Sequence, residues 1–323
     1  MRLNDSLLNK EMADMNGIPV LLLGYNRPEL LRERFHEIVM QKPSALYVSI
    51  DGGTQSESQE MRNLIQKIEI MSQTNKSVIL RRHPTNLGLA RHVTSAIDYV
   101  FSRHAKLIIV EDDISLSRNF YSNMCSGFET MGKTTDTAVV SAFSPRATAA
   151  NKRNHWRKSI YFSPWGWGTS RDFWNEYKLE LKDENFDKSL RNSKTWNSLS
   201  NYQKKTWMYR FEKISENPLD TWDVQFQYLL FKKGTPCLLP KFRIIDNQGY
   251  SDPRSVHTKE AKPRWFKDGV YDSDIIPVTK NPRNEILAKF IDAQTMAGDS
   301  RLAGYWKKLR TYRIIQYLVQ FLP

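Results

Sequence analysis

Along the first half of the chain, apolar and polar positions come in alternating blocks. Short apolar runs occupy 18–23, 46–50, 77–80, 107–110 and 138–143. Each has the length of a strand and ends in polar or glycine-containing residues. Between them lie amphipathic stretches at 28–39, 57–71 and 89–101. In the last of these, Val93, Ile97, Val100 and Phe101 fall on one face at helical spacing. Pro28 suits the first turn of a helix, where its missing N–H costs nothing. Strands alternating with helices predict an α/β fold, a mostly parallel sheet with helices on both faces. Such sheets bind ligands beyond the C-terminal ends of their strands.

The strand ends are therefore the places to look for chemistry. The first run ends in Gly24-Tyr25-Asn26-Arg27-Pro28 and the second in Asp51-Gly52-Gly53. The third ends in Arg81-Arg82-His83 and the fourth in Glu111-Asp112-Asp113. Polar groups of both signs converge on one edge of the predicted sheet.

The pattern changes after residue 150. Residues 151–223 hold most of the nine tryptophans and few strand-like runs. The stretch 182–205, rich in Lys, Asn and Ser, reads as surface helices and loops. No repeat or low-complexity linker interrupts the chain, so one continuous domain is expected from 17 to about 260, after an N-terminal extension at 1–16. The C-terminal extension, 261–323, is polar at first. It ends in a basic and apolar tail, 305–323, with Lys307, Lys308, Arg310 and Arg313, no acid, and an apolar run at 314–322.

Composition narrows the class only a little. A net charge of +13 over 323 residues attracts polyanions: nucleic acid, anionic lipid or phosphorylated small molecules. Cys125 and Cys237 form no CxxC or Cys/His cluster, which argues against zinc and suits a reducing compartment. The N-terminus lacks the apolar core of a signal peptide, and no apolar run approaches 18 residues.

Five motifs carry candidate chemistry, each with a plainer alternative. Glu111-Asp112-Asp113 offers carboxylate oxygens to a hard divalent cation shared with substrate phosphates. Alternatively, Asp113 or Ser115 caps a helix running through Phe120. Asp51-Gly-Gly is a carboxylate for a ribose or base edge, or simply a turn. Trp165 and Trp167, alternating with Gly166 and Gly168, make flat platforms for sugar C–H faces, or pack in the core. Asp223 begins a helix-like segment with Phe226, Leu229 and Leu230 on one face, as a general base or a first-turn acid. The pair Arg91-His92 lies in the first turns of its helix, as a solvated face or near an anion.

Taken in order, YNRP, IDGG, NLGLARH, VEDD, PWGWG, WD and NQG resemble the nucleotide-sugar glycosyltransferases of the GT-A fold. The likeness is to bacterial and viral relatives of N-acetylglucosaminyltransferase I, over roughly 17–260. It implies a Rossmann-like donor half at about 17–115 and an acceptor half at about 116–260. By the resemblance, Tyr25, Asn26, Arg27 and Asp51 line the nucleotide pocket, and Arg91 and His92 approach the nucleotide. Asp113 would bind Mn²⁺ or Mg²⁺, with Glu111 and Asp112 toward the ribose and donor sugar. Trp165, Gly166, Trp167 and Trp222 would lie by the acceptor. Asp223 would be the catalytic base of an inverting reaction. The family often carries a second acid next to it; Val224 stands there instead, leaving Asp220 as a rival. Asn247, Gly249 and His257 would form a loop near the diphosphate.

The expected reaction moves a sugar from a nucleotide-sugar donor, with UDP as the implied carrier, to a glycan or lipid-linked glycan. The basic tail 305–323 would dock on an anionic membrane surface, or pack on its own domain or a partner subunit. The expected location is cytoplasmic, peripheral on the inner face of the membrane, in surface polysaccharide synthesis. The main alternatives are a carbohydrate-binding module, which has no use for an acidic strand end, and a nucleic-acid-binding protein. Dispersed basic residues and the lack of a recognition motif argue against nucleic acid. A nucleotidyltransferase would need a glycine-rich triphosphate loop, which Gly24-Tyr25-Asn26 is not.

Overall fold

The computed structural model describes residues 17–52, 58–134, 136–145, 156–182, 184–219, 221–241 and 243–250, with 252, 254 and 292. The N-terminal extension, Asp220, His257 and the basic tail lie outside these residues. In chain order the elements are β1 (Val20–Gly24), α1 (Pro28–Met40), β2 (Leu46–Ile50), α2 (Gln59–Thr74), β3 (Val78–Arg82), α3 (Leu89–Phe101), β4 (Lys106–Glu111) and β5 (Ile114–Leu116). There follow α4 (Phe120–Gly132), β6 (Val139–Ser141), β7 (Trp156–Ser159), β8 (Trp167–Ser170) and α5 (Arg171–Trp174). The last are α6 (Phe186–Leu190), α7 (Lys194–Asn197), α8 (Asn201–Glu216), α9 (Asp223–Lys233), β9 (Cys237–Pro240) and β10 (Ile245–Asn247).

Among the described residues the main sheet runs β3-β2-β1-β4-β8-β6-β9-β7, and β10 pairs with β5 in a separate ribbon. Strands β3, β2, β1 and β4 are all parallel. β8 lies antiparallel to both β4 and β6. The fold is thus mixed α/β, with a large sheet flanked by helices and a parallel, Rossmann-like first half, as the alternating pattern predicts.

The sequence explains the layers. β1 is buried at every position because both of its faces are covered. Val20 and Leu22 join Leu31 and Ile38 of α1 and Leu64 and Ile68 of α2 on one side. Leu21 and Leu23 join Val93, Ile97 and Val100 of α3 on the other. α1 opens with Pro28 in its first turn. Ser58 caps α2 by accepting from the Met61 amide at 3.1 Å. α9 is buried along 225–231 because it separates two cores. Phe226, Leu229 and Leu230 face the sheet, while Tyr228 and Phe231 face a third cluster with Trp196, Trp207 and Phe211.

Two expectations are corrected. The acids after β4 do not cap a helix: the chain continues as β5, and α4 starts at Phe120 behind Asn119. The sugar-platform reading of PWGWG gives way to core packing at its β8 end. Gly168 sits in β8 opposite Ile108 of β4. A Cβ there would stand 2.7 Å from the Leu107 carbonyl oxygen and from the Phe128 ring. Glycine is required by close packing in mid-sheet, not by flexibility.

Candidate active site

The parallel register brings three strand ends together, pairing Leu23 with Glu111 and Gly24 with Ile50. Glu111 is the last residue of β4; Asp112 and Asp113 follow, and both are buried. Arg27, in the loop leaving β1, reaches across to them. Its Nη1 donates to Asp113 Oδ2 at 3.1 Å, and its Nη2 pairs with Asp112 Oδ1. The Tyr25 backbone also favours the charged form of Asp112. Asp113 Oδ1 is buried without a hydrogen-bond partner among the described residues.

The β5–β10 ribbon fixes the far side of this corner. Asn247 pairs with Ile114, and the Gln248 amide donates to the Asp113 carbonyl at 2.8 Å. Asn247 Oδ1 accepts from the Gly249 amide at 2.7 Å. Beneath, Arg34 of α1 is 1 % exposed and donates to the Ile114 carbonyl (3.4 Å) and to Gln248 Oε1 (3.3 Å), besides pairing with Glu37. Beyond the ribbon, Arg254 pairs with Asp252 and with Glu29 of α1. Asn247 and Gly249 therefore adjoin the acidic corner. Arg34 escapes sequence reasoning because a buried arginine inside a helix looks like any solvated one.

Charge is concentrated here. Burial, then Asp113 and Asp112, push the Glu111 carboxyl well above the usual range; Asp223 adds to this and Arg27 opposes it. Burial lifts Asp112 to about 7 despite the pull of Arg27. Asp223 is the first residue of α9, where the helix N-terminus favours a carboxylate. It is half-buried and accepts from the Thr221 hydroxyl. Arg210 of α8 and Tyr177 also feel its charge. Burial lowers the Arg210 pKa against the opposing effect of Asp223; burial and then Asp223 raise that of Tyr177.

No three His, Cys, Asp or Glu side chains among the described residues form a ready-made cation cage. A hard cation shared with a diphosphate asks less: one or two carboxylates, with phosphate oxygens and water completing the shell. The unpartnered Oδ1 of Asp113 fits that need.

At the end of β2, Asp51 Oδ1 accepts from the amides of Gly52 (2.8 Å) and Leu87 (2.9 Å). A Cβ on Gly52 would lie 2.0 Å from the Thr85 carbonyl carbon, so only glycine allows this approach. Asn86 donates to the Tyr25 hydroxyl at 2.7 Å, tying the loop before α3 to the loop after β1. Asn26 is exposed. Arg91 is exposed too, on a cleft of about 500 Å³ that runs along α3 past Leu87, Arg81 and Tyr99. His92 points inward. Its Nε2 meets the Ser49 hydroxyl at 3.0 Å, and its ring packs edge-on to His83. Burial lowers His92 to about 4, so it is neutral at pH 7. His83, whose buried Nε2 has no partner among the described residues, joins this group behind Asp51. Its place right after a strand was the one signal for it in the sequence.

The tryptophans divide. Trp167 and Trp222 are 0 % and 2 % exposed and stack on each other at 5.2 Å against Phe226. Neither offers a face to a sugar: at Trp167 the core-packing alternative holds, and Trp222 is packed inside with it. Trp165 is half-buried between Phe143 and Tyr250, on the loop that turns at Gly166 (φ +61°) toward β8. It adjoins the segment carrying Asn247 and Gly249.

A Rossmann-like half, acids at the end of its fourth strand and a carboxylate on the helix start facing them are the makings of a nucleotide-sugar-using transferase. The family comparison agrees: the GNT-I family model matches residues 5–198, and the chain belongs to that family, the relatives of N-acetylglucosaminyltransferase I. No curated protein matches the sequence. Among solved structures, the chain is similar to a Bacillus anthracis protein assigned as a glucose-1-phosphate thymidylyltransferase, in complex with sucrose. The identity is 8 %, the coverage 60 % of this chain and 83 % of that one, and the TM-score 0.31. It is also similar to the inositol-1-phosphate CTP transferase of T. maritima, with 11 % identity, coverage of 75 % and 92 %, and a TM-score of 0.31.

Proposed function

We propose that the protein is an inverting, metal-dependent glycosyltransferase. It moves a hexosyl or N-acetylhexosaminyl group from a UDP-sugar to a hydroxyl of a glycan or glycolipid, in surface polysaccharide synthesis. Residues at about 17–115 form the donor half and those at 116–260 the acceptor half. The observation that carries this reading is the meeting of Arg27, Asp112, Asp113 and Glu111 at one strand edge, within electrostatic reach of Asp223.

The roles follow from the chemistry. Asp51 takes a hydrogen bond from the nucleoside, with Tyr25, Asn26 and Arg91 around it. His92, being neutral, orients Ser49 and the pocket floor rather than countering phosphate charge. Glu111 and Asp112 face the ribose and donor sugar. Asp113 would hold Mn²⁺ or Mg²⁺, which would supply electrostatic stabilisation for a leaving diphosphate. Arg27 and the Asn247–Gly249 turn attend the diphosphate. Asp223 removes the acceptor proton as the hydroxyl attacks the anomeric carbon from the face opposite the nucleotide. The open flank of Trp165 borders the acceptor.

Among the described residues no helix is long and apolar enough to cross a membrane. The site would be used at the inner membrane face, held there by 305–323.

A panel of nucleotide sugars, each with and without Mn²⁺, tests the reading by thermal shift. A ligand in excess of its Kd raises apparent stability. One donor should stand out, and only with metal. A flat panel, with stabilisation by a bare oligosaccharide or by RNA instead, would point to a binding protein.

A further inference from the structure

The position of Arg27 raises a question that its expected role at the diphosphate does not answer. One guanidinium serves both acids nearest the cation position: Asp113 Oδ2 at 3.1 Å through Nη1 and Asp112 Oδ1 through Nη2. The two carboxylates are 11 % and 3 % exposed at their side chains, so neither has water enough to stand alone as an anion. Arg27 is 15 % exposed, at the rim. Its backbone is fixed, because Pro28 starts α1 and the Arg27 carbonyl accepts from the Leu31 amide at 2.9 Å. Its side chain is long and caps nothing. Asp113 has one oxygen in this ion pair and the other, Oδ1, buried without a partner among the described residues.

We propose that Arg27 is an exchangeable counter-ion: it holds Asp112 and Asp113 in the ligand-free protein, and it turns to the diphosphate when a divalent cation takes its place on Asp113. This rests on the reading of Asp113 as the cation's ligand. A dication at the Asp113 carboxylate repels a guanidinium bonded to that same carboxylate. The metal alone therefore costs Arg27 its bond to Asp113 and leaves the guanidinium half-paired, on Asp112 alone, at a largely buried position beside a dication. A diphosphate removes that penalty, since guanidinium pairs with phosphate oxygens in the same forked geometry it uses for carboxylates. Cation and nucleotide then bind cooperatively, and by linkage each tightens the other by the same factor. Arg27 thus disfavours metal without donor, and the donor completes its own cation site.

Binding of Mn²⁺ to the full chain, followed by electron paramagnetic resonance or calorimetry, tests this. The probes are Mn²⁺ alone and Mn²⁺ with UDP or with inorganic pyrophosphate. The wild-type protein should bind Mn²⁺ weakly alone, and about tenfold or more tightly with the diphosphate, within the usual range for coupled sites. Arg27→Met should bind Mn²⁺ alone about tenfold more tightly than wild type, and most of the coupling should vanish. Arg27→Lys keeps the charge but cannot bridge two carboxylates, and should fall between; it carries the test if circular dichroism shows Arg27→Met unfolded. Unchanged or weaker Mn²⁺ binding in the Arg27 variants, with the coupling intact, would overturn the exchange while leaving Asp113 as ligand. Mn²⁺ binding that survives unaltered in Asp113→Asn would overturn the exchange together with the metal reading beneath it.

Discussion

The acidic corner after β4 and the tryptophan-rich segment around β8 stand out equally in the sequence, yet the fold uses them in opposite ways. At the corner, Asp112 and Asp113 share a single guanidinium, one Asp113 oxygen lacks a partner among the described residues, and burial raises the Glu111 and Asp112 pKa values. Around β8, Trp167, Trp222, Phe162 and Phe226 satisfy one another by contact. One region keeps a carboxylate oxygen unused; the other packs its ring faces on one another, although the Trp167 indole N–H has no partner among the described residues. What separates the two is charge near the surface: the corner holds carboxylates and a guanidinium at 15 % exposure, whereas the tryptophan pair is sealed in apolar contacts.

Substitutions on the two sides should separate cleanly. The largest effect is expected at Asp223, which faces the corner from α9. Asp223→Asn should fold normally and lose about 10²- to 10⁴-fold in kcat, as for removal of a general base. Near-normal turnover would pass the role to a neighbour, with Asp220 first in line. On the aromatic side, Trp167→Ala should cost about 3–5 kcal/mol of stability, measured by denaturant melts, as for other large core truncations. Gly52→Ala should also fail structurally, since its Cβ meets the Thr85 backbone, and nucleotide binding should weaken along with it. Trp165→Ala sharpens the contrast. The residue is half-buried, so its melting temperature should shift far less than that of Trp167→Ala, while KM for acceptor rises.

The smallest effect lies far from the site. Glu184 is pushed up by burial, but hydrogen bonds from Tyr228 and Lys232 outweigh this and hold it at about 2. A carboxyl depressed by folding stabilises above its unfolded pKa and loses that contribution as pH falls through its folded one. Glu184→Gln should therefore narrow the stability gap to wild type as pH drops from about 4.5 toward 2. Parallel melting curves across that window would refute the assignment.

Much of the first half of the chain was legible because its strands are apolar on both faces and its helices have one apolar stripe. Pro28, the α3 face and the start of α9 at Asp223 all read directly from spacing. β8 was hidden because it is four residues long and half of it is Trp and Gly, chosen to fit Leu107 and Phe128 rather than to alternate. β5, β9 and β10 were hidden for a similar reason, being too short to show a period. At the site, the acids were visible as a run of like charge. Their partner was not: Arg27 lies 85 residues away from Asp112, and only the β1–β4 register brings the two together. Nor could spacing separate Trp165 from Trp167, since a two-residue step flips neither; burial by α9 and Trp222 distinguishes them.

The central claim is that the carboxylates closing β4 hold a cation that binds the donor's diphosphate, with Asp223 opposite. Crystals grown with Mn²⁺ and a UDP-sugar, measured for manganese anomalous scattering, test it most directly. The account predicts a peak at bonding distance from the Asp113 carboxylate, bridged to both phosphates, with Asp223 on the far side of the anomeric carbon. A peak elsewhere, or a nucleotide sugar bound away from β4 with no metal beside it, would contradict it.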